Sequence, residues 1–150
     1  NIKHIVQEAN FVLQDDVDMV VAPGIVGQLG ILPHHAPLIT ALTYGELVIL
    51  REGQEDEYIA IGGGSIEVGP DHVTVLADTA ERAEEIDEER AEAARRRAEE
   101  LMAQERRDTA EVAQAQATLR RSMIRLKVAR RRRRPRRPAP RPGETPQVGE

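Results

Sequence analysis

His72-Val73-Thr74-Val75-Leu76-Ala77-Asp78-Thr79-Ala80-Glu81-Arg82-Ala83-Glu84-Glu85-Ile86-Asp87-Glu88-Glu89-Arg90-Ala91 divides the chain into two kinds of polymer. Its first half is a β-branched run of the kind that fits a pleated sheet. Its second half is rich in Ala, Glu and Arg, which are strong helix formers. The division holds on either side: residues 80–134 contain neither Gly nor Pro, whereas residues 1–79 are punctuated by both.

Upstream of the division, short β-rich runs alternate with turn signals. Val17-Asp18-Met19-Val20-Val21, Glu46-Leu47-Val48-Ile49-Leu50, Tyr58-Ile59-Ala60-Ile61, Ser65-Ile66-Glu67-Val68 and His72-Val73-Thr74-Val75-Leu76 are the runs. Pro23-Gly24, Gly30, Pro33, Gly45, Gly53, Gly62-Gly63-Gly64 and Gly69-Pro70-Asp71 are the turns. Many short strands with no helical pattern between them predict an antiparallel sandwich or barrel. With only Phe11, Tyr44 and Tyr58 as aromatics, its core must be built from Val, Ile and Leu.

Downstream, two start signals compete for the first helix. Asp87 can cap it ahead of Glu88 and Glu89, which suit the positive end of the helix dipole. Asp78 with Glu81 offers a capping box two turns earlier. Asp108-Thr109-Ala110-Glu111 is a further start signal. One continuous helix of about 50 residues would extend ~75 Å, so a break within residues 104–108 and an antiparallel hairpin are expected. Ala91, Ala94, Ala98 and Leu101 form the expected seam of the first helix, and Ala110, Ala113, Ala117 and Ile124 that of the second. Alanine buries little, about 0.8 kcal/mol per CH₂ equivalent, so the hairpin is held weakly and can move. From Pro135 the Arg- and Pro-rich sequence cannot remain helical. The expected organisation is a sandwich over residues 1–84, a helical hairpin over 85–134 and a disordered basic tail over 135–150.

Charge follows the same division. Residues 1–80, 81–129 and 130–150 carry net charges of -10, -1 and +6, which make up the overall -5. There is no Cys, which excludes disulfides and thiolate metal sites. No apolar run approaches the ~20 residues that span a bilayer.

Several catalytic readings fail on residue type. Gly62-Gly63-Gly64-Ser65 lacks the lysine and following helix of a phosphate loop, so it reads as a tight strand connection. Glu67 stands where a nucleophile elbow needs its last glycine. His34-His35 has no further ligand at metal spacing and reads as a structural or interface pair. Asp15-Asp16-Val17-Asp18 reads as a solvated acidic turn.

The most specific segment is Gly27-Gln28-Leu29-Gly30-Ile31-Leu32-Pro33-His34-His35-Ala36-Pro37-Leu38. Together with Val17-Asp18-Met19-Val20-Val21-Ala22-Pro23-Gly24, Gly62-Gly63-Gly64-Ser65-Ile66-Glu67-Val68 and Val73-Thr74-Val75-Leu76-Ala77-Asp78, it resembles the epsilon-subunit family of bacterial F-type ATP synthases. The likeness runs from about Ile2 to Val128. It departs from the family pattern at Gln7-Glu8, where Thr-Pro is usual, at Gln28, where an acid is usual, and at His34, where glycine is usual.

The resemblance implies a ten-stranded β-sandwich followed by a two-helix hairpin that either folds down on the sandwich or extends into the catalytic sector and inhibits ATP hydrolysis. It implies no catalytic residues and no metal site. The implied partners are the gamma subunit, the ring of c subunits and the alpha and beta catalytic subunits, with the chain peripheral to the cytoplasmic face of the bacterial membrane. Gln28, Leu29, Gly30, Ile31, Leu32, Pro33, His34, His35, Ala36 and Pro37 are the implied contacts to the ring and gamma.

Ile86-Asp87-Glu88-Glu89-Arg90-Ala91 also matches the signature of family members that bind ATP on the folded-down hairpin. Carried onto this chain, the regulatory site comprises Glu81, Asp87, Arg90, Arg97, Arg121 and Arg125. The spacings of seven between Arg90 and Arg97 and of four between Arg121 and Arg125 put each pair on one helix face. Arginine forks satisfy phosphate oxygens bidentately. Regulatory ATP is therefore the expected ligand, with magnesium left open and no obligatory cofactor. The bland reading is that these arginines pair with neighbouring glutamates.

The cationic run of Arg130 to Arg134, Arg136, Arg137 and Arg141 admits a competing nucleic-acid or anionic-surface module. The acidic sandwich lacks aromatic platforms and would repel phosphate, so no nucleic-acid partner is expected.

Overall fold

Alternation of buried and exposed residues builds the first part of the molecule. A computed structural model describes residues 2–8, 11–104 and 108–131. The strands are β1 (Ile2–Glu8), β2 (Phe11–Val17), β3 (Met19–Gly24), β4 (Gly27–Ile31), β5 (Leu38–Leu50), β6 (Glu57–Val68), β7 (His72–Ala77) and β8 (Ala80–Arg82). A single 3₁₀ turn, Ala83–Glu85, leads into α1 (Glu88–Ala103) and α2 (Thr109–Arg131). The strand order is β2-β1-β7-β6-β5-β3-β4, with β8 added to β6.

Pairing is antiparallel as expected, except that β1 joins β7 in parallel. Among the described residues there are eight strands rather than ten. The difference lies in β5 and β6, which are 13 and 12 residues long. An ordinary strand has about 5–6 residues, so each of these does the work of two. The run expected over residues 17–21 is also broken. Asp18 leaves the sheet, donating its backbone N–H to the Leu50 carbonyl (2.9 Å) and accepting from Glu52 N–H (2.5 Å). Asp15 and Asp16 belong to β2, so the acidic turn narrows to Asp18.

The core is aliphatic, as the scarcity of aromatics requires. Val20, Leu47, Ile49, Ile59, Ile66, Val73 and Val75 are fully enclosed. Gly62, Gly63 and Gly64 let β6 exchange one neighbour for another: Ile59–Ile61 pair with β8, and Gly64–Val68 pair with β7. Gly63 and Gly64 do so at φ +90° and +123°, left-handed values that side chains resist.

Asp87 caps α1, its carboxylate accepting from Arg90 N–H at 3.1 Å. The alternative start at Asp78 and Glu81 does not form a helix, because Ala80–Arg82 is drawn into the sheet as β8. The break falls where expected, with α1 ending at Ala103 and α2 beginning at Thr109. The seam is less well placed by sequence. Ala91 and Ala98 are buried on α1, but Ala94 is half-buried and Leu101, in the last turn, is 42% exposed. On α2 the buried line runs through Ala115, Ser122, Leu126 and Ala129, whereas Ala110 and Ala113 are exposed and Ala117 and Ile124 half-buried.

The reason is that α2 has two partners. Besides α1 it meets the sandwich, where Val128 and Ala129 join Ala60, Ala83 and Ile86 in a second apolar cluster. The buried arc therefore turns away from the line that a simple two-helix seam would use. The disordered tail expected over residues 135–150 lies outside the described residues.

Replacing Gly64 with Ala forces a side chain into a left-handed position and against the Leu76 carbonyl and Ala77 Cα. Gly64→Ala should cost at least ~2 kcal/mol of sandwich stability. Urea denaturation measures it, and a loss below about 1 kcal/mol would contradict the strained crossing.

Candidate functional site

The folded-down hairpin and the sandwich together line an open-sided cavity of about 290 Å³. Its size lies near the lower end for small-ligand sites, about 300 Å³. The sandwich supplies one wall through Tyr44, Gly62 and Thr79. Close approach of these strands needs Gly62, whose N–H donates to the Thr79 carbonyl at 3.0 Å. A side chain at Gly62 would run into Thr79 Oγ1 and come within 2.9 Å of Tyr44 Cε1. The helices supply Arg90 from α1 and Arg121, Ile124 and Arg125 from α2, while Glu81 enters from β8.

Three arginines thus share an open-sided pocket with one carboxylate. Arg125 Nε donates to Glu81 Oε2 at 3.1 Å, bridging residues that lie 44 positions apart in the chain. Arg121 Nη2 donates to the Tyr44 hydroxyl at 2.9 Å, with its guanidinium 5.4 Å from the ring centroid. Among the described residues the Arg90 guanidinium has no ion-pair partner. Such an excess of fork-shaped donors suits an anion with several oxygens.

Of the six residues assigned to the regulatory site, Glu81, Arg90, Arg121 and Arg125 therefore meet at one cavity. Asp87 and Arg97 are not among its lining residues. Asp87 is occupied as the cap of α1. Arg97 is exposed two turns beyond Arg90, about 10 Å along the axis. Pairing with local glutamates holds for two other arginines: Arg96 lies 3.7 Å from Glu92, and Arg95 bonds Glu92 and Glu99, its hydrogen bond lowering the pKa of the Glu92 carboxyl. Sequence reasoning missed Tyr44 as a wall residue. Its only signal was its rarity, as one of two tyrosines.

The residues assigned to ring contact divide between strand and loop. Gln28, Leu29, Gly30 and Ile31 lie in β4, and Leu32, Pro33, His34, His35, Ala36 and Pro37 form the connection to β5. Ile31 points into the sandwich core, so its side chain is not on that surface. His34 has φ +64°, at a position where left-handed backbone favours glycine. The His35 ring donates from Nδ1 to the Ala36 carbonyl at 2.7 Å.

Where this connection runs into the start of β5 there are exposed apolar side chains that the sequence reading did not include. Val26 is 95% and Ile39 75% exposed, and Ile25 is also uncovered. Ile25 N–H donates to the Ala41 carbonyl, which ties the β3–β4 turn to the start of β5. An apolar pair inside the turn Pro23-Gly24-Ile25-Val26-Gly27, where polar residues are usual, was the available signal.

Comparison with known proteins agrees with this architecture. Residues 3–83 match the family model for the ATP synthase delta/epsilon chain beta-sandwich domain, and residues 84–130 match that for its long alpha-helix domain. The ATP synthase epsilon chain of Dehalococcoides mccartyi is 53% identical over 129 residues, covering 86% of this chain and 91% of that one. That of Herpetosiphon aurantiacus is 52% identical over 129 residues, covering 86% and 93%. A chain in the Euglena gracilis mitochondrial ATP synthase shares the fold at a TM-score of 0.75 and 24% identity, over 85% of this chain and 80% of that one. The nucleic-acid alternative gains no support from these likenesses. Sandwich, hairpin and sequence identity over most of its length together show that the chain belongs to the delta/epsilon chain family of ATP synthases.

Proposed function

We propose that this chain is a nucleotide-gated regulator within its complex: a sandwich that mounts it on the rotor, and a hairpin kept down by ATP. As a member of its family the chain is a non-catalytic epsilon-type subunit of a membrane-associated ATP synthase. Its proposed neighbours are gamma and the c-subunit ring, reached through the loop of Leu32 to Pro37 and the apolar side chains beside it. The alpha and beta subunits are the proposed target of the released hairpin. The proposed location is the cytoplasmic face of the bacterial membrane.

The observation that carries the nucleotide reading is the meeting of Arg90, Arg121 and Arg125 at one cavity with a single carboxylate. Two of these arginines are held by groups that a triphosphate can replace, the Tyr44 hydroxyl and the Glu81 carboxylate. Phosphate oxygens would take Arg90 together with the arginines of α2 and so join both helices to the sandwich wall. A ligand that binds only the folded-down state stabilises it by ~2.7 kcal/mol at a hundredfold excess over its dissociation constant. Against an alanine-rich seam, that suffices to shift the population of the hairpin. ATP depletion would then release the helices, and the released hairpin would stop wasteful hydrolysis.

The arginine run beyond α2 fits the same device. An extended α2 would carry those charges to acidic surfaces of the catalytic subunits and tighten inhibition.

Calorimetry of the full chain with ATP should show saturable binding, weakened at least tenfold by Arg90→Ala combined with Arg121→Ala, roughly the loss of one charge-assisted contact. Absence of saturation at millimolar ATP would remove the reading, and unchanged affinity in the double variant would remove the assigned residues. Truncation after Arg131 should weaken inhibition of ATP hydrolysis by the assembled complex. Full inhibition by the truncated chain would reject a role for the run.

A further inference from the structure

The cavity is not the only place where α2 is fastened. At its last described residue, Arg131 Nε donates to Glu46 Oε2 at 3.1 Å and Nη2 to Glu46 Oε1 at 2.9 Å. The side chains are only 28% and 8% exposed. The Arg131 guanidinium also lies 4.9 Å from the centroid of the Tyr58 ring. Glu46 and Tyr58 belong to the paired strands β5 and β6, where Glu46 is opposite Ala60 and Val48 opposite Tyr58. Tyr58 and Ala60 are two residues apart on one sheet face. That face receives Val128 and Ala129 of α2.

We propose that Glu46, Tyr58 and Arg131 form a latch that holds the end of α2 on the sandwich without nucleotide. The fork of an arginine matches a carboxylate in two parallel bonds, which fixes direction as well as distance. The aromatic face provides a further contact for the same cation. The hydrogen bond that Arg131 donates to Glu46 raises the pKa of its guanidinium despite its partial burial, so its charge is secure. Arg131 is six residues beyond Arg125, about 9 Å along the helix, so latch and cavity grip α2 at separate points. The latch sets the fraction of chains whose cavity is already assembled. Apparent nucleotide affinity scales with that fraction.

The latch can be measured with no nucleotide present. The chain has no cysteine, so Ala129→Cys places a sole thiol at the buried contact between α2 and the sandwich. Its rate of reaction with a thiol reagent reports the undocked population. In a parallel series, Val73→Cys, in the sandwich core, reports global unfolding. Glu46→Gln and Arg131→Gln should each accelerate labelling at 129 by about tenfold or more, the range for loss of a charge-assisted hydrogen bond. Labelling at 73 should remain slow.

The double variant should exceed either single by less than about threefold, since the two side chains act as one pair. Unchanged labelling at 129 in both singles, or fully multiplicative effects in the double variant, would overturn the latch. Should Glu46→Gln disturb β5 and expose position 73, Arg131→Gln decides alone: it lies in the last turn of α2 and alters no strand. Because no nucleotide is used, a chain that fails to bind ATP can still carry the latch, and a chain without the latch can still bind ATP.

Discussion

Everything in this molecule is hung on β6, and on the absence of side chains at Gly62, Gly63 and Gly64. That strand pairs with β5 along its length and changes from β8 to β7 at the glycines. The exchange brings Thr79 against Gly62 and turns the chain into β8, from which Glu81 enters the cavity. It also aligns Tyr58 and Ala60 beneath α2. Core, cavity wall and helix platform are consequences of one strand being able to cross where a Cβ would block it.

The helical part obeys a different balance. Its apolar contacts are mostly alanine, with Leu126, Val128 and Ile86 as the larger buried side chains. Polar contacts between hairpin and sandwich therefore matter more than they would for a leucine-rich pair. Arg125 with Glu81, Arg121 with Tyr44 and Arg131 with Glu46 all join α2 to the sandwich. Each is a contact across more than 40 positions of sequence, so each reports docking rather than helix formation. Separation of these two processes is what lets an element remain helical while changing its place.

Sequence was sufficient where a property is local. The change at residue 80 and the break after Ala103 follow from helix propensity and length, whereas the choice of Asp87 over Asp78 as the cap was decided by β8 drawing Ala80–Arg82 into the sheet. The failures concern residues with two neighbours at once. Helical periodicity assigned α2 a single seam, but contact with the sandwich rotated its buried face toward Ala115, Ser122, Leu126 and Ala129. β5 and β6 were divided into short runs because a bend at glycine looks the same in sequence as a turn. At the candidate site, the family signature grouped Arg97 with Arg90; the two share a helix face, but Arg97 is two turns away and outside the cavity's lining. Glu46 and Tyr58 carried no signal at all, since their meeting with Arg131 exists only after docking.

The turn between β3 and β4 has a further consequence for the protein in solution. Ile25, Val26 and Ile39 leave uncovered apolar side chains on a sandwich whose first 80 residues carry a net charge of -10. In dilute buffer, mutual repulsion between like-charged molecules keeps such surfaces apart. Added salt shortens the range of that repulsion to about 10 Å at 0.1 M but leaves the attraction between apolar surfaces intact. For the sandwich, ionic strength is therefore the condition expected to decide how closely two such turns can approach.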